Sequence, residues 1–376
     1  MNTTQAALVV LRDLCGVVPR AVHALAQSGD WSASSARGIR QLGEVILDEL
    51  ALTGMAQMEE SSLGPERPLS VYASAADELS ALGVAAAHAE PQPLRVRDLR
   101  RRRHGSLVYE YLTFDHDPLL PRSLEAEGLG GSAPAGVYLV RRADRRPWLV
   151  WVHGAGQGRP GDLTVSRAGR LHHKLGFNIA IPVQPGHGPR RGGSPAYPTM
   201  DPLANVAGTM RAVAEVRAIV RWLEPQSTAI VVSGLSLGSP IAALVSELEE
   251  RVDAVALYTP IFELNAMIAH HLEQRKPAVD HISSLMRSDI VSGLTSVVDP
   301  MTVEPVPPPH RRLIVGALHD QMALREPALA LHQRWGGKVH WHDGSHVGQV
   351  FSRRVRAVTE QFLLDAKSGG GVRRSA

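Results

Sequence analysis

Cysteine is almost absent from this chain of 376 residues, in which Cys15 is the only one. A single thiol cannot form an intramolecular disulfide, so a disulfide-stapled fold is excluded and nothing points to an oxidising compartment. Because Cys15 lies in an apolar helical pattern, we expect it to be a core residue.

Long hydrophobic runs are missing as well. No stretch approaches the roughly 20 apolar residues that a membrane-spanning helix needs, so we expect no membrane span. The apolar run 6–11 is not preceded by a basic residue and ends at Arg12 and Asp13, which is not the pattern of a signal peptide. We therefore expect a soluble, cytoplasmic protein.

A large excess of one charge is also lacking, since 40 Lys and Arg stand against 37 Asp and Glu and the net charge is +3 at pH 7. This mild basic excess does not indicate a nucleic-acid partner, and we expect none. The strongest basic run is Arg100–Arg103. Contact with phosphate or a membrane is one interpretation of this run, and a solvated basic face before a strand is the interpretation that we favour.

Hydrophobic periodicity divides the chain into three parts. Residues 1–104 are predicted to be a helical N-terminal extension or cap, and residues 368–376 a disordered tail rich in Gly, Arg and Ser. Between them, in residues 105–367, short apolar strands alternate with helices, which predicts a mostly parallel sheet with helices on both faces. Residues 260–309 interrupt the alternation with helical pieces and a proline-rich end, and we predict that they form a lid insertion.

The predicted strands are short apolar or alternating runs. In a mostly parallel sheet their carboxyl ends lie at one edge, which is where ligands bind in folds of this class. The strands are Leu107–Phe114, Gly136–Val140, Pro147–Val152, Phe177–Ile181, Thr228–Ser233, Val252–Tyr258, Arg312–Ala317 and Lys338–Trp341. The main predicted helices after residue 200 are Val206–Leu223, Ser239–Leu248 and Val347–Leu364.

The segment Gly234–Gly238 has the sequence G-L-S-L-G and lies between a predicted strand and a predicted helix. A serine on such a turn is held in a tight backbone geometry with its oxygen exposed above the sheet. Bulky side chains at the two glycine positions would collide with the neighbouring strand and helix. A chance match in a chain rich in Gly and Ser is the alternative, but the strand before and the helix after it favour the turn. Ser236 is therefore the candidate nucleophile.

A serine hydroxyl needs a base to take its proton, and the base needs an acid to orient it. His346 follows the last predicted strand and precedes a helix, so it is the candidate base among 17 histidines. Asp320 follows the preceding strand and is the candidate acid, although a helix cap is another role for it. Glu263 and Asp343 remain alternative acids, because each lies near the end of a predicted strand.

The close spacing of His340, His342 and His346 also allows a metal site as an interpretation. Alternate strand positions place His340 and His342 on one face. No carboxylate or cysteine pattern accompanies them, however, so we predict neither a metal nor a cofactor.

With the order Ser, Asp, His along the chain, the sequence resembles the α/β-hydrolase superfamily of serine hydrolases, whose triad runs in that order. The resemblance covers about residues 105–365. Trp151–Gly156 contains H-G-A-G, which is similar to the H-G-x-G motif that supplies part of the oxyanion hole. The resemblance implies that the backbone N–H groups of Leu237 and Ala155 are the oxyanion donors, with Gly154 as the alternative to Ala155.

A second motif, Pro185–Gly188, has the sequence P-G-H-G and is similar to a turn that shapes the pocket wall in the family. It departs from the family in being followed by Pro189, Arg190 and Arg191, where many members have a small residue. Either arginine would suit an acidic substrate group, but we expect both to be exposed.

The resemblance implies a serine hydrolase acting on a small-molecule or lipid-like carboxylic ester, as a carboxylesterase or lipase-like enzyme does, through an acyl-enzyme intermediate. The same triad also serves thioesters, amides and C–C bonds beside a carbonyl. A noncatalytic ligand-binding protein on a hydrolase fold is the alternative outside enzymes. The N-terminal helices either close over the site or support a homodimer, and the sequence leaves both open.

Overall fold

The computed structural model describes residues 14–29, 31–58, 67–192, 197–275 and 280–368. Within these ranges the chain forms one nine-stranded sheet with the order β1-β2-β3-β5-β4-β6-β7-β8-β9. The strands are β1 Val96–His104, β2 Leu107–His116, β3 Ala133–Val140, β4 Arg146–Val152, β5 Asn178–Val183, β6 Ser227–Leu235, β7 Ala254–Tyr258, β8 Arg312–Ala317 and β9 Lys338–His342.

Helices precede the sheet and connect its strands. The α-helices of the described residues are α1 Val17–Gln27, α2 Ala36–Met58, α3 Leu69–Ala87, α4 Arg122–Ala126, α5 Asp162–Val165, α6 Ala168–Arg170, α7 Pro202–Leu223, α8 Gly238–Leu248, α9 Leu264–Arg275, α10 Asp280–Met286, α11 Asp289–Thr295, α12 Arg325–Trp335 and α13 Arg353–Ser368. A π-helical turn continues α6 at Leu171–Leu175, and a 3₁₀ turn at Gly348–Phe351 precedes α13.

The sheet is mostly parallel, as the sequence predicts. Strands β5, β4, β6, β7, β8 and β9 run parallel to one another, whereas β1, β2 and β3 pair antiparallel and β3 joins the parallel part through β5. The central strands are continuous apolar runs because both of their faces are buried. In β4, Trp148 and Val150 belong to the core that contains α7, α8 and α12, whereas Leu149 and Trp151 belong to the core beneath α13.

Strand β1 differs from the sequence prediction, because the run Arg100–Arg103 lies inside it rather than before a strand. Its residues pair antiparallel with β2, and its side chains are mostly exposed on both faces at the edge of the sheet. An exposed edge strand rich in charge shows neither the alternation nor the apolar run that marks a buried strand. The sheet therefore starts at Val96, within the range predicted to be a helical extension.

The insertion between β7 and β8 consists of helices α9, α10 and α11 in the residues that the structure describes. Helix α3 of the N-terminal segment packs directly against it, and the two share an apolar cluster with the first turns of α7. Leu79 of α3 and Leu294 of α11 are both fully buried in this cluster. The ring of His88 adds a hydrogen bond of 2.9 Å between Nε2 and the carbonyl oxygen of Val297.

Two expectations about single residues are wrong. Cys15 is exposed rather than in the core. Arg190 is buried and pairs with Glu215 through two hydrogen bonds of 2.6 and 2.8 Å, whereas Arg191 is exposed as expected. The apolar run 6–11 and the predicted tail after Ser368 lie outside the described residues. None of the described helices combines the length and the apolar character that crossing a bilayer requires.

Candidate active site

Ser236 directly follows β6 and has a φ of 54°, a left-handed conformation that is uncommon for residues other than glycine. Its N–H donates to the carbonyl oxygen of Tyr258 on β7 at 2.8 Å, and its own carbonyl accepts from the N–H of Ser239 in α8 at 2.9 Å. These bonds hold the strained turn between strand and helix. The arrangement corresponds to a nucleophile elbow, in which the serine side chain stands at the carboxyl edge of the sheet.

The glycines on either side of Ser236 are required by the packing. A Cβ atom on Gly234 would lie 2.5 Å from Cα of Ser239, and one on Gly238 would lie 2.6 Å from the carbonyl oxygen of His153. Both distances are shorter than any real Cβ contact, so a side chain at either position would displace the backbone of α8 or of the segment after β4. The steric reason that the sequence suggests for these glycines is present in the structure.

His346 and Asp320 lie in the loops after β9 and β8 and contact each other directly. Nδ1 of His346 is 2.9 Å from Oδ2 and 3.1 Å from Oδ1 of Asp320. Oδ1 of Asp320 also accepts the backbone N–H groups of Met322 and Ala323, both at 2.8 Å, so the carboxylate is fixed by its own loop. Because the carboxylate can only accept, Nδ1 carries the proton of the neutral imidazole and Nε2 is left as the acceptor.

The other ring nitrogen of His346, Nε2, is buried and has no hydrogen-bond partner among the described residues. Nε2 of His346 therefore makes no hydrogen bond with the hydroxyl of Ser236, which is also among the described residues. Burial acts to lower the pKa of His346, but the charge and hydrogen bond of Asp320 and the charge of Asp48 outweigh it, and the pKa is raised from its ordinary value. The ring is therefore held by Asp320, and the two carboxylates favour its protonated form.

Neither alternative acid contacts the ring of His346 in the described structure. Asp343 faces helix α2, where Arg37 binds both of its carboxylate oxygens at 2.8 Å. These hydrogen bonds lower the pKa of Asp343 to about 2 despite its partial burial. Glu263 is exposed at the start of the insertion. Of the three carboxylates that the sequence suggests, the structure brings Asp320 to the ring.

His342 is paired with a carboxylate from the N-terminal segment and is not part of a cluster of ligands. Its Nε2 lies 2.9 Å from Oε2 of Glu44 in α2. Within the residues that the structure describes, no group of three or more His, Cys, Asp and Glu side chains is arranged to hold a metal ion.

The segment after β4 lies against Ser236, since a Cβ atom built on Gly154 would be 3.3 Å from Cβ of Ser236. The N–H of Gly154 donates to Oε1 of Gln157 at 2.6 Å, so this donor is already engaged and Ala155 remains the candidate of the two. Leu237 caps the N-terminus of α8, where backbone N–H groups point away from the helix and favour negative charge.

His153 connects the segment after β4 to the end of β5 through the two nitrogens of its ring. It is fully buried, and its Nε2 accepts the N–H of Gln184 at 3.1 Å while its Nδ1 donates to the carbonyl oxygen of Gly154 at 2.8 Å. Burial lowers the pKa of His153 to about 3, so the ring is neutral and carries its proton on Nδ1. The histidine of the H-G-A-G motif is thus a structural support for the candidate oxyanion segment.

A cavity of about 530 Å³ is lined by Leu237 and, in part, by residues of the insertion. Its walls combine apolar and polar side chains from α7, α8 and the insertion, among them Val206, Asn205, Pro240, Phe262, Asn265 and Met286. Its volume is in the range of about 300 to 1,000 Å³ that is usual for small-molecule sites in proteins.

Sequence reasoning missed Gln157, Glu44 and Asp48, which contact the candidate site residues or their loops. Glu44 and Asp48 belong to a polar stripe on α2 whose spacing of three and four residues is typical of a solvated helix face. The polar stripe is visible in the sequence, but only the fold shows that the loop after β9 packs against it.

Two curated proteins of Mycobacterium tuberculosis are similar to this chain in sequence. The "Uncharacterized protein Rv2627c" of Mycobacterium tuberculosis (strain ATCC 25618 / H37Rv) is 33% identical over 299 residues, which are 74% of this chain and 70% of that protein. The "Uncharacterized protein MT2702" of strain CDC 1551 / Oshkosh matches with the same figures. No protein-family model matches the chain.

Among solved structures, an acetyl xylan esterase from Paenibacillus sp. R4 superposes with a TM-score of 0.51 at 16% sequence identity, over 81% of this chain and 96% of that chain. Identity at this level shows a shared fold alone. The chain belongs to the same protein family as Rv2627c of Mycobacterium tuberculosis, and its fold is that of the α/β-hydrolases.

Proposed function

We propose that this protein is a serine hydrolase that cleaves a carboxylic ester through an acyl-enzyme intermediate. Ser236 is the nucleophile, His346 the general base and Asp320 the acid that orients it. The observation that carries the proposal is the pairing of Asp320 with Nδ1 of His346, which leaves Nε2 buried and without a partner. A serine in elbow geometry at the same edge of the sheet supports it.

In the first half of the reaction, Oγ of Ser236 attacks the ester carbonyl carbon and Nε2 of His346 takes the hydroxyl proton. This proton transfer requires Oγ and Nε2 to lie within hydrogen-bonding distance in the substrate complex, and such contacts commonly tighten between free enzyme and complex. Negative charge on the carbonyl oxygen is stabilised by the N–H groups of Leu237 and Ala155. The imidazolium then gives its proton to the departing alkoxide, and an alcohol leaves.

In the second half, His346 takes a proton from water, and the resulting hydroxide attacks the acyl carbon of the ester on Ser236. The same N–H groups stabilise the second tetrahedral intermediate. Its collapse returns the proton from His346 to Oγ, which releases a carboxylic acid and restores the free serine. Asp320 stays ionised throughout, since its role is to hold the ring and to balance the imidazolium charge.

The insertion 260–309 serves as the lid of this site and defines its substrate pocket. The cavity of about 530 Å³ is lined by Leu237, one residue from the proposed nucleophile, and by residues of the insertion such as Phe262 and Met286. A substrate with an acyl or alcohol group larger than acetyl would use this space, and the mixed walls suit a group that carries both apolar and polar atoms.

The test is covalent labelling with a fluorophosphonate probe, which reacts with an activated serine. We expect the wild-type protein to be labelled, and the Ser236→Ala and His346→Ala variants not to be, with all three proteins showing the same circular dichroism spectrum. A panel of p-nitrophenyl esters of rising chain length measures the preferred size of the acyl group. A thioester and an anilide in the same panel identify the class of bond that is cleaved. An unlabelled wild type would favour a noncatalytic binding protein, and a labelled Ser236→Ala variant would remove Ser236 as nucleophile.

A further inference from the structure

Asp48 of helix α2 is fully buried against the two loops that carry the candidate base and acid. Its Oδ2 accepts the backbone N–H of His346 at 2.9 Å and that of Gln321 at 3.2 Å. Its Oδ1 accepts the N–H of Val347 and the hydroxyl of Ser345, both at 2.8 Å. One carboxylate from the N-terminal segment therefore ties together the loop after β9 and the loop after β8.

Glu44, one turn earlier on α2, binds the same loop. Its Oε2 is 2.9 Å from Nε2 of His342 and accepts the N–H of Ser345 at 3.2 Å. The side chain of Glu44 can approach the loop this closely because Gly344 and Gly348 face it. A Cβ atom would lie 2.9 Å from Cδ of Glu44 if built on Gly344, and 2.6 Å from it if built on Gly348. The loop sequence from 342 to 348 is thus fitted to this face of α2.

The contact continues toward the start of α2, where Arg37, Arg40 and Gln41 all bind Asp343 in the same loop. The five contacting residues of α2 are at positions 37, 40, 41, 44 and 48. Apart from the adjacent pair at 40 and 41, neighbours in this series are three or four positions apart, so they form one face of the helix. Their partners lie about 300 residues later in the chain. The polar stripe of α2 is therefore an interface with residues 342–348, here called the histidine loop. The interface is buried at Gln41 and Asp48 and still exposed at Arg37 and Arg40.

The electrostatics of this interface act on the candidate base. The pKa of Asp48 is raised, because burial and the charge of Asp320 outweigh the neighbouring His346 and the hydrogen bonds, which favour the ionised form. The negative charge of Asp48 in turn contributes to the raised pKa of His346. The charged and titratable groups that surround the histidine loop in the described residues are Asp320, Asp48, Glu44, His342, His319, Asp343, Arg37 and Arg40.

We infer that helix α2 is a part of the active site and that Asp48 is a positioning residue, which holds His346 against Asp320 and stabilises the imidazolium that forms during attack. The inference rests on the triad proposed above and adds to it a role for the N-terminal segment. Asp48 contacts only the backbone of His346, so it acts through the loop and its charge and does not take the place of Asp320 at the ring.

An amide cannot replace this carboxylate, although it has the same shape. Each oxygen of Asp48 accepts two hydrogen bonds from N–H or O–H donors. In Asp48→Asn one oxygen becomes an NH₂ group, which faces two donors whichever way the amide is turned, and the negative charge is lost. The loops lose part of their anchor, and the imidazolium loses a counter-charge.

The experiment compares Asp48→Asn with Glu49→Gln, a carboxylate-to-amide change at the next residue, whose partner is Arg20 of α1 at 2.6 Å. The rate of fluorophosphonate labelling and the kcat and KM for p-nitrophenyl butyrate are measured across pH. For Asp48→Asn we expect kcat and the labelling rate to fall by about 10- to 100-fold at unchanged KM. We also expect the acid-side midpoint of the pH profile to move down by about 0.5 to 1 unit.

Glu49→Gln weakens the packing of α1 on α2, so we expect a lower melting temperature and an unchanged pH midpoint. An Asp48→Asn protein with the wild-type labelling rate and midpoint would overturn the inference while leaving the triad intact. A wild-type protein that is not labelled would instead overturn the proposed function. If Asp48→Asn does not fold, Ser345→Ala takes its place, because it removes one donor to Asp48. A fall in kcat at constant KM then supports the inference, and a wild-type kcat contradicts it.

Discussion

Oδ2 of Asp320 lies 2.9 Å from Nδ1 of His346, although the two residues belong to different loops at the carboxyl edge of the sheet. The contact is possible because β8 and β9 are adjacent parallel strands, so that the loops following them emerge side by side. It selects the tautomer of the imidazole and leaves Nε2 as an acceptor. The activity proposed for this protein depends on that tautomer. Measurements of pH dependence and of single-residue variants test the proposal.

The pH dependence of hydrolysis reports the raised pKa of His346. A protonated imidazole cannot accept the serine proton, so activity is lost as the pH falls through that pKa. Since Asp320 and Asp48 together outweigh burial, the acid-side midpoint of kcat/KM is expected above 6.5, the ordinary pKa of histidine. The measurement is kcat/KM for a p-nitrophenyl ester from about pH 5 to about pH 9 at constant ionic strength. A midpoint below 6.5 would contradict the electrostatic account.

Substitution of the three candidate acids ranks their roles. We expect Asp320→Asn to lower kcat by about 10⁴-fold, because the amide can stabilise the wrong tautomer of His346. Asp343→Asn and Glu263→Gln should retain far more of the wild-type kcat, since neither side chain contacts the ring. The comparison is made with steady-state kinetics on the three proteins at one pH. A larger loss in Asp343→Asn or Glu263→Gln than in Asp320→Asn would reassign the acid.

The steric role of the glycine after the nucleophile is testable by Gly238→Ala. The added Cβ would lie 2.6 Å from the carbonyl oxygen of His153, so we expect the free energy of unfolding to fall by about 1 to 3 kcal/mol and kcat to fall with it. Gly43 is the matched control, since it lies inside α2 and a Cβ there meets no atom within 4 Å. Gly43→Ala should raise the free energy of unfolding by up to about 1 kcal/mol.

Urea denaturation followed by tryptophan fluorescence measures both glycine variants. The decisive result is the sign of the change in the free energy of unfolding. The two substitutions are chemically identical and differ only in their surroundings, so opposite signs report the steric effect at Gly238. A Gly238→Ala protein as stable and as active as the wild type would show that the turn at Ser236 is less tightly packed than its geometry indicates.

The cavity beneath the insertion predicts a dependence on substrate size. Ala266 of α9 lines it, so Ala266→Trp should fill part of the space and raise KM for long p-nitrophenyl esters more than for the acetate. Leu329→Trp is the control, because this exposed residue of α12 is not among the lining residues. Equal changes in KM for short and long esters in Ala266→Trp would place the substrate elsewhere.

The elements nearest the chemistry were predictable from local sequence. The strand before Ser236, the glycines around it and the helix after it follow from hydropathy and backbone sterics within about fifteen residues. The strand that ends before Asp320 is a buried run that is apolar after Arg312. The strand that ends before His346 is only partly apolar, because Val339 and Trp341 alternate with Lys338 and His340. Their order in the chain, combined with parallel pairing, brings their carboxyl ends to one edge, so the assignment of loops to the site also follows from the sequence.

Edge and interface features were not predictable in this way. Strand β1 has charged residues on both faces, because it lies at the edge of the sheet, and it shows no periodic apolar signal. Arg190 was expected at the surface, yet it is buried because Glu215 of α7 meets it there. Such a polar residue is buried only where a partner from elsewhere in the chain compensates its charge.

The sequence by itself determined the class of fold and the residues at the carboxyl ends of its strands, since both depend on the local pattern of apolar residues and glycines. Only the tertiary structure decided which of three carboxylates meets His346, and it alone revealed that Asp48 supports the same loop. A hydropathy pattern records whether a side chain prefers water, but the partner of a buried charge is set by the packing of segments that lie about 300 residues apart.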